Sequence, residues 1–187
     1  MNIFVLSDCP KVSAEMMCDK HIVKMATESM QMISTIMDLY EINSPMKPVM
    51  LNHPCTIWSR MSSSNFNWLI DHTHAICKEY TYRYGKVHKV EEYLIKYRDD
   101  IDKTSHLIKK DKGVELTNFA QAMPDKYKDK DNAVKAYRNY YLGDKWEFAK
   151  WKKGEPDWWP ENHFLIKKQE VIDEFNKRFN AKVKGDY

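Results

Sequence analysis

The sequence predicts an all-α protein, a compact bundle of about five helices behind a short extended N-terminal segment. Three observations point there. Its long segments repeat apolar residues every three or four positions. Glycine is scarce, with five, and methionine plentiful, with eleven. "NIFVL" is the single good strand candidate, and one strand makes no sheet.

Each element has its own signal. The first helix is predicted from Ser13, read as its cap, to Tyr40, with Ile22, Met25, Ala26, Ile33, Ile36, Met37 and Tyr40 as its apolar stripe. After the proline-rich "INSPMKPVMLNHP", Pro54 suits the start of a second helix carrying Ile57, Trp58, Met61, Leu69 and Ile76 and stopping at Gly85. "VEEYLIKYRDDIDKTSHLIKK" reads as a third, bounded by Gly113, and "DNAVKAYRNYYLG" as a fourth, with Asp131 near its start and Gly143 after it. The last runs from about Asn162 to Phe179. No repeat or domain boundary appears, so residues 1–187 read as one domain, with a core over 1–112 and an aromatic, basic part over 113–187.

Composition excludes several classes. A chain 43 % hydrophobic and 30 % charged is globular rather than disordered. No apolar run reaches spanning length, and the first residues lack a basic flank and a cleavage site, so neither a membrane span nor a signal peptide is expected. Four cysteines at irregular spacings read as reduced thiols of a cytoplasmic protein. Cys18 with His21, and His53 with Cys55, fit no common zinc spacing, so no metal is expected. No phosphate loop, dinucleotide fingerprint or nucleophile elbow is present, and no cofactor is expected. The net charge of +3 permits a polyanion without demanding one.

The stretch "CDKHIVKMATE", residues 18–28, concentrates ionisable groups on one helix. His21, Lys24, Glu28 and Gln31 fall on one stripe, roughly opposite the apolar one. Lys24 and Glu28 stand one turn apart and can pair, and a His beside them could titrate near neutrality. Pattern alone favours a solvated face over a reaction centre. In the second helix Trp58, Arg60, Ser62, Asn65 and Trp68 interleave with small serines, which either allow close packing or line a pocket.

Asp19, His21 and Glu28 resemble the first-helix signature of the phage pyrimidine-dimer DNA glycosylase (endonuclease V) family, an Asp-x-His followed seven residues later by an essential Glu. "HPCTIW" and "RYGKVH" are similar to the His-Pro stretch and basic segment of its bacterial relatives, so the resemblance covers roughly the first ninety residues. A closer likeness, to small proteins of large tailed phages, brings no established activity. The glycosylase resemblance implies a small helical enzyme that opens duplex DNA and breaks an N-glycosidic bond. Its nucleophile would be an N-terminal α-amine, a class of group with a pKa near 8, which forms an imine at C1′ of the sugar. The essential carboxylate, here Glu28, would stabilise the charge that develops there. The family exposes a small residue after Met removal, whereas Asn2 is a poor substrate for that trimming, so Met1 would supply the amine. Lys24 is the alternative amine. The family's arginines around the Glu are replaced by Thr27, Ser29 and Met32.

The expected partner is therefore DNA, with Glu28, His21, Lys24 and Met1 as catalytic candidates. Asp19, Lys20, Gln31, His53, Arg60, Asn65, Arg83, Lys86, Arg138 and Trp151 are the candidates for binding it. In the C-terminal half Lys126, Lys128, Lys135, Lys145, Lys150, Lys152 and Lys153 interleave with Tyr127, Tyr137, Tyr140, Tyr141 and Trp146, giving charge for phosphate and flat faces for bases. His72 and His74 read as structural or exposed. Two other readings compete, a transferase that hypermodifies a base in phage DNA and a non-catalytic module that binds nucleic acid or a host protein.

Overall fold

The computed structural model describes residues 1–185, with side chains to residue 180, and opens on an apolar segment that forms no strand. Ile3, Val5 and Leu6 are buried. A buried extended segment must find partners for its backbone polar groups, and here side chains from distant positions supply them. The Ser13 hydroxyl donates to the Phe4 carbonyl at 3.1 Å and accepts the Leu6 N–H at 3.0 Å. Arg138 donates twice to the Leu6 carbonyl, and the Asn2 amide reaches the Ala122 carbonyl at 2.7 Å. Ser13 is therefore not the helix cap that the sequence suggested. It lies inside the first helix and ties down the segment before it.

Among the described residues there are eight α-helices and no strand, so the class is as expected and the count is higher. Three of the expected helices are each broken in two. The first divides into α1 (Pro10–Met16) and α2 (Asp19–Leu39). The last carbonyls of a helix lack partners within it, and here Arg83 binds those of Glu15 and Met17, while the Trp151 indole binds that of Met16 at 3.0 Å. The second divides into α3 (Pro54–Ser59) and α4 (Ser63–Tyr84), and the serine run explains the break. Ser62 caps α4 by accepting the Asn65 N–H at 3.1 Å, while Ser63 and Ser64 bond the Gly113 and Val114 carbonyls. Those serines start a helix and tie it to the segment after α6. Gly85 ends α4 in the left-handed region, φ 66°.

Residues 89–112 form α5 (Lys89–Lys96) and α6 (Arg98–Lys112), parted at Tyr97. α4 is the central element and packs on α1, α2, α5 and α6. α7 (Ala133–Tyr140) is capped by Asn132 and runs on into a wider turn, Tyr141–Lys145, where a Cβ on Gly143 would overlap the Tyr127 hydroxyl. α8 (His163–Gly185) is anchored at its start by the bond between His163 and the Leu142 carbonyl, 2.9 Å. Among the described residues no helix is long and apolar enough to cross a membrane.

Candidate active site

The first eight residues and α2 meet at Glu28. One face of α2 presents His21, Lys24 and Glu28 on successive turns. The α-amino nitrogen of Met1 lies 3.5 Å from Glu28 Oε2, and Lys24 Nζ lies 3.0 Å from Oε1. The two amines differ in setting. Met1 is 4 % exposed at its side chain and Glu28 14 %, whereas Lys24 is 70 % exposed. A carboxylate thus stands between the α-amine of a residue whose side chain is buried and an amine that faces water. The Thr56 hydroxyl faces the Met1 sulfur, and Asn2 fixes the next residue by accepting the Phe4 N–H at 3.0 Å. Phe4 is held at φ 38°, a region few non-glycine residues occupy, so the local fold spends strain on setting this end of the chain.

These groups line a cleft of ≈ 400 Å³, together with Lys20, Tyr140, Lys145 and Phe148. Lys20 Nζ sits 5.0 Å above the Phe148 ring and Lys145 Nζ 4.3 Å above that of Tyr140. The cleft therefore offers flat aromatic faces with cations beside them. A larger cavity, ≈ 600 Å³, is lined by Leu39, Tyr40, Ile57, Arg60 and Asp111. Its ion pair, between Asp111 and Lys112, is about half exposed at both ends. The smaller cleft instead sets an α-amine against a largely buried carboxylate.

His21 differs from its sequence reading. It is 6 % exposed, stacked on Phe4 with ring centroids 4.0 Å apart, and its Nδ1 is hydrogen-bonded to the Tyr141 hydroxyl. Burial, followed by the charges of Lys145 and Lys24, pushes its pKa down to about 3. It is a neutral imidazole at physiological pH and does not titrate near neutrality. The stripe on α2 is accordingly solvated only in part, since His21 is buried and Glu28 largely so while Lys24 faces water.

Residues 1–92 match the family model described as pyrimidine dimer DNA glycosylase. No curated protein and no solved structure matches the chain. The stretch similar to that glycosylase family holds Met1, His21, Lys24 and Glu28. Tyr140, Lys145 and Phe148, which complete the cleft, lie beyond it.

The residues expected to bind DNA divide sharply. Lys20 lines the cleft. His53 caps α3, its Nδ1 accepting the Cys55 N–H, and burial and the Met1 amine lower its pKa while Glu28 opposes them, which places it beside the pair. Gln31 is half-buried one turn past Glu28, Arg60 lines the other cavity, and Lys86 is exposed after α4. Five candidates have structural partners instead. Arg83 is buried, pairing with Asp19 at 3.0 Å and Glu79 at 2.9 Å besides the two carbonyls of α1, so its guanidinium has no hand free for a phosphate. Asn65, fully buried, bonds the Trp58 carbonyl and Thr117. Arg138 holds Leu6, and Trp151 caps α1. Asp19, as the partner of Arg83, belongs to the same structural clamp.

The sequence reading missed Asn2, Phe4, Ala122 and Phe148, and held Tyr140, Tyr141 and Lys145 only as members of a basic and aromatic run. Among the described residues no group of three His, Cys, Asp or Glu converges as a metal site, and all four cysteines are free, with Cys9 exposed and the others buried.

Proposed function

We propose that the protein is a DNA glycosylase with lyase activity, in which the α-amino group of Met1 is the nucleophile and Glu28 its proton acceptor and electrostatic partner. The observation that supports this reading is the contact of 3.5 Å between that amine and a carboxylate whose side chain is 14 % exposed. The amine lone pair forms a bond to C1′ as the N-glycosidic bond breaks, and the base leaves with that electron pair and takes up a proton. Glu28 receives the proton that the amine sheds and faces the positive charge that builds on the sugar. Ring opening leaves an imine. Loss of a C2′ proton then expels the 3′-phosphate and cuts the strand.

The remaining groups have supporting parts. Lys24 bonds the other carboxylate oxygen and holds Glu28 toward Met1. Tyr140 and Phe148 offer stacking faces to an extruded nucleotide, and Lys20 and Lys145 offer charge to its phosphates. Likeness to a family described as acting on pyrimidine dimers makes such a lesion in duplex DNA the first substrate to try. Incubation with a duplex carrying one dimer should give a strand break at that site without alkali. An intact duplex, with the dimer unaltered, would overturn the proposal.

A further inference from the structure

The connection between α2 and α3 carries an apolar tip that nothing in the molecule covers. Met50 is 56 % exposed and Leu51 39 %. The turn beneath them is firmly built. The Thr35 hydroxyl, itself buried, accepts the Val49 N–H at 2.9 Å and shares its proton between the carbonyls of Val49, at 2.9 Å, and Gln31, at 2.8 Å. The His53 N–H closes the turn onto the Met50 carbonyl at 3.0 Å. Met50 is held at φ 53°, in the left-handed region that a methionine adopts only when its surroundings insist. Strain and three anchoring bonds go into presenting two large apolar side chains to water.

The position of this turn says what it meets. Thr35 lies two turns along α2 from Glu28, on the same face, so the base of the turn, Val49, is anchored about 10 Å from the carboxylate along the axis. That is about three stacked base steps at ~3.4 Å each. His53, three residues past Met50, already lies close enough to Met1 and Glu28 for both charges to act on it. The charge of the segment fits a polyanion, because from Ile42 to Ile70 the chain carries Lys47 and Arg60 and no acidic residue.

We propose that Met50 and Leu51 form an apolar wedge that enters the base stack of duplex DNA next to the reacting nucleotide and fills the space it vacates. This rests on the glycosylase reading above. Apolar side chains inserted between base steps unstack them, a cost offset by the contacts that the opened duplex makes. A wedge acts on a duplex only, since a single strand has no stack to part.

The test is the pair Met50→Ser, Leu51→Ser in the full chain, with both sites exposed enough that the thermal melt should not move. Borohydride trapping on an abasic site is measured in a duplex and in a single strand. 2-Aminopurine beside the site reports unstacking. The double variant should trap the duplex about tenfold more slowly or worse and lose the fluorescence rise, with single-strand trapping unchanged. Met50→Leu should keep both. Equal trapping of the duplex by the variant and the original chain would overturn the wedge and leave the tip as a protein-contact surface. Failure of the original chain to trap either substrate would instead overturn the glycosylase reading, and the wedge with it.

Discussion

Glu28→Gln isolates the carboxylate with the least disturbance. Glutamine keeps the shape and has almost the same helix propensity as glutamate, and the ion pair with Lys24, 70 % exposed, is worth about 0.5 kcal/mol. Folding stability should fall by no more than about 1 kcal/mol. The chemical loss is far larger. A sugar carbon joined to the Met1 amine would carry its developing charge about 4 Å from the carboxylate, and at an effective dielectric constant near 20 that attraction is about 4 kcal/mol. Removing about 4 kcal/mol of transition-state stabilisation slows the reaction about a thousandfold. The assay is single-turnover cleavage of a duplex with one pyrimidine dimer, at saturating protein, beside a urea melt of each variant. A Glu28→Gln rate within tenfold of the original, at unchanged stability, would refute the argument.

Arg83→Met should cost about 3 to 5 kcal/mol in a urea melt, because it strands Asp19, Glu79 and the carbonyls that end α1; weaker DNA binding with an unchanged melt would show a phosphate reader instead. His72 is fully buried, and burial lowers its pKa to about 4 against 6.5 when unfolded. The unfolded chain therefore takes up the proton first, so stability is complete above pH 6.5 and falls toward pH 4, by on the order of 3 kcal/mol. Urea melts from pH 7.5 to 4.5 check the slope; His21, lowered to about 3, contributes over the same range, so His72→Gln should cut the slope by about half and leave the His21 share. Lys20→Gln with Lys145→Gln should lower the slope of log affinity against log salt by about 2, near 0.9 for each phosphate that a lysine no longer neutralises; an unchanged slope would remove both lysines from the interface.

Helical class and the end of α4 at Gly85 were legible because both are local, carried by apolar spacing and a residue suited to φ 66°. The breaks in the long helices were not. Met17 and Cys18 carry no breaking signal of their own, and the division between α1 and α2 depends on Arg83 and Trp151, more than sixty residues away. The serines at 62–64 read as either packing or pocket lining, because a capping hydroxyl looks the same in sequence as either. Glu28 and Lys24 could be read as a pair, since a spacing of four sets both on one helix face. Met1 entered through family resemblance, and Tyr140 and Phe148 through tertiary contacts that no periodicity encodes. Arg83 shows the converse. A positive charge reads alike whether it grips DNA or ties helices together, and burial alone separates the two.

The central claim is that the α-amine of Met1, set against Glu28, is the group that bonds to the sugar. Borohydride reduction of the protein with an abasic duplex, then proteolysis and mass spectrometry of the adduct, locates that bond. The account predicts a reduced sugar adduct on the N-terminal peptide, at the nitrogen of Met1. An adduct on the peptide containing Lys24, or no adduct at all, would contradict it.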